Sequence, residues 1–246
     1  MARLLAKVVW SAVRHPRGYW GAVAEDMHRT IKQAWLPLTV AIAAFTVFTA
    51  MVAMMFFAMV GGQQLFGPMM YLQSVRTFTV WVNAIAVAGI VGAALTADIG
   101  SRKVREELDA MEVMGVDPVR DLAVPRVISL TLITVILSIP SILITTVAMQ
   151  WSADYVAHLP TGAFYSNLFV NLTTTDLIGL LVNSALIGLL IATVCCYKGF
   201  NAGGGAIGLG RAVNQAVVAS VVGVFVLQLP YQAIFLGLFP EVGAWK

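Results

Sequence analysis

The residues with the most chemical potential lie in one charge-rich stretch, 97–126, between long apolar segments. Basic side chains come first and acidic side chains follow in its sequence, ADIGSRKVREELDAMEVMGVDPVRDLAVPR. Such a stretch can form ion pairs with a partner protein. Neither it nor the rest of the chain holds a credible Ser/His/Asp, Cys/His or paired-carboxylate arrangement for catalysis. We therefore predict a partner-binding role and no enzymatic activity.

A glycine-rich motif at residues 203–208, Gly-Gly-Gly-Ala-Ile-Gly, satisfies the pattern G-x-G-x-x-G. That pattern indicates nucleotide binding only after a strand and with an acidic residue about 20 positions later, whereas residues 224–228 are Val, Phe, Val, Leu and Gln. We expect a tight turn between the fourth and fifth spans instead. Because no P-loop motif is present, the chain is predicted to bind no cofactor. If the work of the chain is driven by ATP, another subunit binds the ATP.

Cysteine and histidine give no metal site. Cys195 and Cys196 are adjacent at the end of an apolar run, so we expect them to be buried small hydrophobes. His158 has no second His or Cys nearby and is expected to be a solvated loop residue.

The composition is that of an integral membrane protein. Hydrophobic residues make up 59% and charged residues 11% of the chain, against roughly 45–50% and about 25% in soluble domains. A helix needs about 20 apolar residues to cross the hydrocarbon core. Five segments qualify, at about 36–60, 76–99, 127–150, 177–196 and 212–239. We predict an all-α membrane protein with an N-terminal segment 1–35 and a five-span domain 36–246.

Basic residues predict the orientation, since Lys and Arg favour the cytoplasmic side. With the N-terminus inside, 13 of the 15 basic residues are cytoplasmic, and only Arg76 and Lys246 lie outside. The C-terminus is then extracytoplasmic. The outer segment 151–176 is the longest non-apolar one, and four of its aromatic residues suit the membrane interface: Trp151, Tyr155, Phe164 and Tyr165.

The first residues form an amphipathic pattern. At 100° per residue, an apolar face lies opposite a basic one, the apolar face being Leu5, Val8, Val9 and Ala12 and the basic one Arg3, Lys7 and Arg14. This is typical of a helix in the inner headgroup layer, and a frayed basic tail is the alternative. The residues His15-Pro16-Arg17-Gly18 are expected to break the helix in either case.

Polar residues within the spans are few. Asp98 and Arg76 lie at the inner and outer ends of the second span, and neither requires an ion pathway. The neutral ones are expected to form interhelical hydrogen bonds: Asn83, Asn183, Asn214 and Gln228. Small residues of the second span predict close packing, within the protomer or at a subunit interface: Ala88, Gly89, Gly92 and Ala93.

Within the charge-rich stretch we predict a short helix over 101–115. Ser101 would cap it, Gly115 would end it and Pro118 would prevent its continuation. Its apolar stripe would be Val104, Leu108, Met111 and Met114. The charge order opposes the helix macrodipole, and the i,i+4 pairs have the weaker base-first order: Arg102–Glu106, Lys103–Glu107 and Arg105–Asp109. Topology or docking on a partner would explain this pattern better than helix stability does.

These residues resemble a known family. The runs Gly92-Ala93-Ala94-Leu95-Thr96-Ala97-Asp98-Ile99-Gly100 and Glu106-Glu107-Leu108-Asp109-Ala110-Met111-Glu112-Val113-Met114-Gly115-Val116-Asp117-Pro118 are similar to the signature of MlaE/YrbE permeases. A second match covers Lys198–Ser220, and the sequence of this segment is similar to that of the actinobacterial YrbE branch. Two departures stand out. The family often has Glu-Gln where this chain has Glu106-Glu107, and an Arg-Glu-Leu-Gly-Pro element is here Arg76-Thr77-Phe78-Thr79-Val80, without its acidic residue.

The resemblance implies a permease subunit of an ABC-type lipid transporter in the bacterial inner membrane. It implies as partners a cytoplasmic ABC ATPase, a second identical or homologous permease, extracytoplasmic Mce-domain proteins and a lipid, but no nucleic acid. The helix 101–115 becomes a coupling helix that contacts the ATPase through Arg105, Glu106, Glu107, Leu108, Asp109, Met111, Glu112, Met114 and Asp117. The substrate path is assigned to Arg76, Thr77 and Asn83. The actinobacterial resemblance favours lipid uptake.

Two rival hypotheses belong to other classes. A structural anchor for an Mce-type assembly would need no substrate path, so changes at Arg76 or Asn83 would leave transport intact. An ion-coupled transporter would lose transport with the proton gradient, but scarce buried charge and the lack of a visible internal repeat argue against it. The sequence does not identify the lipid. It also does not show whether Glu107 contacts the ATPase or faces water.

Overall fold

A computed structural model describes residues 1–14, 19–61, 73–158 and 160–239. All regular secondary structure in these ranges is helical. The helices are α1 (Ala2–Arg14), α2 (Trp20–Met59), α3 (Thr79–Val87), α4 (Ala93–Val104), α5 (Glu107–Val113), α6 (Val124–Ala157), α7 (Thr161–Asn171), α8 (Thr174–Phe200) and α9 (Gly205–Leu238). Three π-helical turns precede α3, α4 and α6, at Ser74–Phe78, Ala88–Gly92 and Val119–Ala123.

Five stretches of helix in the described ranges are long and apolar enough to cross a membrane. They are Trp20–Phe57, Arg76–Val104, Val119–Val156, Thr174–Phe200 and Gly205–Leu238. Each overlaps one predicted span, so the all-α, five-span prediction is confirmed. The helices extend beyond the apolar windows, because a helix continues into water wherever the sequence has no stop signal.

The first span shows most clearly how a helix extends beyond its predicted apolar window. Helix α2 begins at Trp20, inside the segment 1–35 that was predicted to precede the span, and it passes through Pro37. Only α1 forms a separate N-terminal helix, with Val8 buried and Lys7 exposed as its amphipathic pattern predicts. The predicted break at His15–Gly18 lies outside the described residues.

The described chain divides into two compact units. The first, unit 1, comprises Met1–Ala34, Ala84–Val135 and Ala185–Leu227. Its core is built around α8, where Ile187, Ile191 and Cys195 are completely buried. Close packing relies on Gly92, where an added Cβ would lie 2.8 Å from the Sγ of Cys195. This is the close approach predicted from the small residues, and it lies within one protomer.

The second, unit 2, comprises Trp35–Asn83, Ile136–Ser184 and Gln228–Lys246. Its helices leave long apolar faces exposed, including Phe48 and Phe56 of α2 and Leu143 of α6. The predicted outer segment 151–176 is largely helical, since α6 continues to Ala157 and α7 follows. Trp151 and Tyr155 are exposed and Phe164 is buried against the rest of the chain, and their position at the membrane interface stays a prediction.

The glycine-rich motif begins with the predicted turn, and its last four residues, 205–208, already belong to α9. Gly204 and Gly205 have φ angles of 78° and 67°, which favour glycine, and α9 begins at Gly205. Cys195 and Cys196 are free and buried, as predicted.

Candidate functional site

The charge-rich stretch is a helix–break–helix in unit 1. Helix α4 continues to Val104, and Glu106 then takes a left-handed conformation with φ 62° before α5 begins at Glu107. The prediction of one helix starting at a Ser101 cap is therefore wrong. The hydroxyl of Ser101 instead donates to the carbonyl oxygen of Asp98 within α4, at 2.9 Å.

The end of α5 was predicted correctly. Gly115 has φ 79°, its N–H donates to the carbonyl of Glu112 at 3.0 Å, and the N–H of Val116 donates to the carbonyl of Met111 at 2.9 Å. These two bonds form a Schellman motif, in which glycine is the favoured residue because φ is positive.

The break changes which charges meet. Lys103 pairs with Asp109 at 2.6 Å across the break, and Arg105 pairs with Glu107 at 2.9 Å. Arg102 lies 3.7 Å from Asp98, one turn earlier. The three predicted i,i+4 pairs are therefore wrong, because the left-handed residue interrupts the spacing on which they depended. Exposed pairs of this kind contribute little stability.

The surface of α5 combines acidic and apolar groups. Leu108 is buried, Met111 is half-buried, and Glu106, Asp109 and Glu112 are exposed. At the C-terminal end Val113 is 89% exposed and Met114 71% exposed. The predicted apolar stripe is thus divided between the core and solvent. Sequence periodicity missed Val113 because the helix 101–115 was assumed to be continuous.

We call the exposed set Glu106, Asp109, Glu112, Val113 and Met114 the α5 surface. Exposed apolar side chains beside carboxylates are suited to docking on a protein partner. Burial of the apolar groups stabilises the complex, and the charges orient the two proteins as they meet. Leu108 is buried in unit 1 and holds α5 in place.

Asp117 has a positioning role. One of its oxygens accepts from the N–H of Val119 at 3.0 Å, and the carboxylate pairs with Lys7 of α1 at 3.0 Å. The N-terminal helix is thereby joined to the chain immediately after α5. The predicted coupling residue Asp117 acts on the backbone and α1 in this structure.

The residues predicted for a substrate path lie in unit 2. Arg76, in the first π-helical turn, donates from Nε to Oδ1 of Asp176 at 2.7 Å, and the side chain of Asp176 is fully buried. Gln232 donates to the carbonyl of Arg76 at 2.8 Å and to the hydroxyl of Thr77 at 3.3 Å. No local sequence pattern pairs Arg76 with Asp176, which lies 100 residues away.

Asp176 also organises the start of α8. Its Oδ2 accepts from the N–H of Thr173 at 3.1 Å and from the hydroxyl of Thr173 at 2.7 Å. This satisfies the backbone N–H of Thr173 at the helix N-terminus, which is one of the two hydrogen bonds of a capping box. The signal was present in the sequence as Thr173-x-x-Asp176, and it indicates a local role in addition to the ion pair.

The cleft beside Arg76 is small. Its volume is about 10 Å³, which suits about one water molecule, and it is lined by Arg76, Asp176, Gly179, Leu180, Asn183, Tyr231, Gln232 and Phe235. Thr77 and Asn83 are not among these residues, although Asn83 is buried in the same unit. Of the three predicted path residues, Arg76 alone lines this cleft, and the cleft itself is too small for a lipid.

The predicted interhelical hydrogen bond exists for one pair of buried amides. Asn183 of α8 donates to Gln228 of α9 at 3.2 Å. Asn214 is exposed.

Comparison with known proteins identifies the family. The model of the family described as "Permease MlaE" matches residues 23–234. The chain belongs to the MlaE permease family. Its five apolar helices and this membership make it a multi-pass membrane protein of the permease type.

Individual relatives agree. A Synechocystis protein named "Probable ABC transporter permease protein" is 33% identical over 77% of this chain and 74% of its own length. A similarly named Rickettsia typhi protein is 34% identical over 55% of this chain and 52% of its own. The Arabidopsis thaliana chloroplast protein TRIGALACTOSYLDIACYLGLYCEROL 1 is 27% identical over 73% of this chain. The chain spans about half the length of the last two relatives.

Proposed function

We propose that this MlaE-family chain is the membrane permease subunit of an ABC-type lipid transporter. Permease relatives named for ABC transporters support the class, and a relative that bears the name of a glycolipid supports a lipid substrate. The chain works with a second identical or homologous permease and with Mce-domain proteins outside the membrane, and it carries lipid into the cell. Its N-terminus is cytoplasmic and its C-terminus extracytoplasmic, in the bacterial inner membrane.

The observation that carries this proposal is the α5 surface. A short helix that presents Val113 and Met114 to solvent beside exposed carboxylates needs a partner to cover it. The basic-residue distribution predicts a cytoplasmic position for this surface, and we infer that its partner there is an ATPase that binds ATP and Mg²⁺. Leu108 is buried in unit 1 and Lys103 of α4 pairs with Asp109 of α5, so a movement of the ATPase at α5 would be passed to α4.

Aspartate substitutions in the α5 surface test the coupling. The double variant Val113→Asp, Met114→Asp places two charges in the docking surface without touching the core. We expect co-purification of the ATPase to fall at least about tenfold, since removing apolar contacts of this size costs more than about 1.4 kcal/mol, and lipid transport should fall with it.

Ile207→Asp is the matched control. Ile207 is 74% exposed near the start of α9, on the same side of the membrane in the proposed topology but outside the α5 surface. It should retain ATPase binding and transport. Normal ATPase binding and transport in the double variant would exclude the coupling role.

A structural anchor is the second candidate, and the small cleft at Arg76 favours it. If Arg76 serves only to hold unit 2 together, the charge-neutral pair of changes Arg76→Gln, Asp176→Asn will leave lipid transport unchanged in an assembled complex. A loss of transport with normal assembly supports a substrate path beside Arg76. In that case Arg76 must separate from Asp176 during transport.

A further inference from the structure

A second polar site lies in unit 1, at a cleft of about 80 Å³ where three helices meet. We call it the unit 1 cleft. It is lined from α2 by Asp26, Arg29, Thr30, Gln33 and Ala34, from the second span by Ile90, Val91, Ala94, Leu95 and Asp98, and from α6 by Arg126, Ser129, Leu130 and Ile133. On each helix these residues recur at three- and four-residue spacing, so each helix contributes one face. One water molecule needs about 10–15 Å³ of cavity volume, so the cleft has room for a group of several atoms.

The cleft has a charged end and an apolar end. Asp26 and Arg29 are the first lining residues of α2 and Ala34 follows two turns later. Asp98 is the last lining residue of the second span and Ile90 lies two turns earlier. Arg126 similarly precedes Ile133 on α6. The charged groups therefore share the end nearest the polar chain segments, and the apolar groups lie deeper along the spans. A ligand that fits this arrangement has a charged head and an apolar body.

Protein contacts leave part of the charge uncompensated. Arg126 pairs with Asp98, and one oxygen of Asp26 accepts from the hydroxyl of Ser129. Arg29 forms no ion pair within the described part of the chain, although Asp26 lies one turn away on the same face. The Nη1 atom of Arg126 is buried and hydrogen-bonds no described group. Arg29 is exposed and Asp26 is partly exposed, so one cationic and one anionic group line the open end of the same cleft without pairing with each other.

We propose that the unit 1 cleft binds the headgroup of a zwitterionic phospholipid with a primary ammonium group, such as phosphatidylethanolamine. Arg29 binds the phosphate, because guanidinium matches its planar pairs of oxygens. Asp26 accepts from the ammonium group, and the first carbons of the lipid lie against Ala94, Val91 and Ile133. In the proposed topology the lipid comes from the cytoplasmic leaflet. The site is separate from the α5 surface and from Arg76.

The chemistry of the cleft argues against two simpler ligands. An inorganic or purely anionic phosphate would meet the carboxylates of Asp26 and Asp98 beside the cations, which opposes its binding. A neutral lipid without a headgroup charge would cover Asp26 and part of the exposed Arg29 side chain without giving either charge a partner. A ligand that carries both charges compensates both.

Lipid binding to the purified full-length chain tests the proposal. Native mass spectrometry of delipidated protein in detergent, titrated with equal amounts of phosphatidylethanolamine and phosphatidylglycerol of the same chain length, counts bound lipids and ranks their affinities. Because a lost charge-assisted hydrogen bond costs about tenfold in affinity, we expect phosphatidylethanolamine to bind about tenfold more tightly than phosphatidylglycerol. Arg29→Gln should weaken both lipids about tenfold. Asp26→Asn, which can still accept from Ser129, should remove only the preference.

Two further variants complete the design. Lys32→Gln removes an exposed cation from α2 outside the cleft lining and should bind as the unaltered chain does. Ala94→Phe fills the apolar end and should lose lipid binding. Free phosphoethanolamine should bind at least about tenfold more weakly than the lipid, since it lacks the apolar contacts.

Equal binding of the two lipids, or an equal loss in Lys32→Gln and Arg29→Gln, would overturn the proposal. So would free phosphoethanolamine binding as tightly as the lipid. The measurement needs no ATPase and no transport, so its failure is distinguishable from failure of the proposed function.

Discussion

At the scale of single residues, the Arg76–Asp176 pair is the costliest feature of unit 2. Both side chains are largely or fully removed from solvent, and removing one partner leaves the other charge uncompensated. Arg76 could be recognised in the sequence as the outer charge of the second span. Its partner could not, because a pairing across 100 residues depends on how α8 packs and leaves no local pattern.

Asp176→Asn should lower the thermal unfolding midpoint of the purified chain by on the order of 10 °C, since a broken buried pair costs about 3–5 kcal/mol. The double variant Arg76→Gln, Asp176→Asn should recover a large part of that loss because no buried charge remains. Asp154→Asn, an exposed carboxylate of the same unit, should have no effect. A double variant as unstable as Asp176→Asn would show that the charge itself is unimportant.

Gly92 tests helix packing in unit 1. Gly92→Ala places a Cβ 2.8 Å from the Sγ of Cys195, so we expect a loss of about 1–3 kcal/mol from overpacking. Gly89→Ala, in the same π-helical turn, meets nothing within 4 Å and should be neutral or stabilising by up to about 1 kcal/mol. Denaturant titration in detergent compares the two. Adding Cys195→Ala should rescue Gly92→Ala in part, and a failure of that rescue would locate the cost elsewhere.

At the scale of elements, the spans followed from apolar length, and the end of α5 followed from Gly115. The break at Glu106 did not. Glutamate is a good helix former, and a left-handed glutamate costs about 1–2 kcal/mol relative to the helix. The burial of Leu108, a contact that forms only in the folded chain, offsets that cost.

Glycine substitution separates the two neighbouring glutamates. Glu106→Gly relieves the left-handed strain and should stabilise α5 by up to about 1 kcal/mol, whereas Glu107→Gly lies in the first turn of α5 and should destabilise it by up to about 1 kcal/mol. Hydrogen exchange of the amides of residues 107–113 reports both effects. Equal destabilisation by the two changes would mean that the helix continues through residue 106.

At the scale of the whole molecule, the five-span architecture was predictable because a membrane requires long apolar helices with internally satisfied backbones. Family membership was visible in the 92–118 run. The unit 1 cleft was not predictable, since Asp26, Asp98 and Arg126 are unremarkable individually and gain meaning only when three helices bring them together.

Orientation is the whole-molecule property that decides which partner each surface meets. Placing 13 of the 15 basic residues inside predicts that α5 is cytoplasmic and α7 extracytoplasmic. The native cysteines are both buried, so single cysteines added at Asp109 and Ser166, which are both exposed, become the reactive thiols. A membrane-impermeant maleimide should label Ser166→Cys in intact cells and Asp109→Cys only after permeabilisation. The reverse pattern would place α5 outside, beyond the reach of any cytoplasmic ATPase, and labelling of the unaltered chain would show that Cys195 or Cys196 becomes exposed in the membrane.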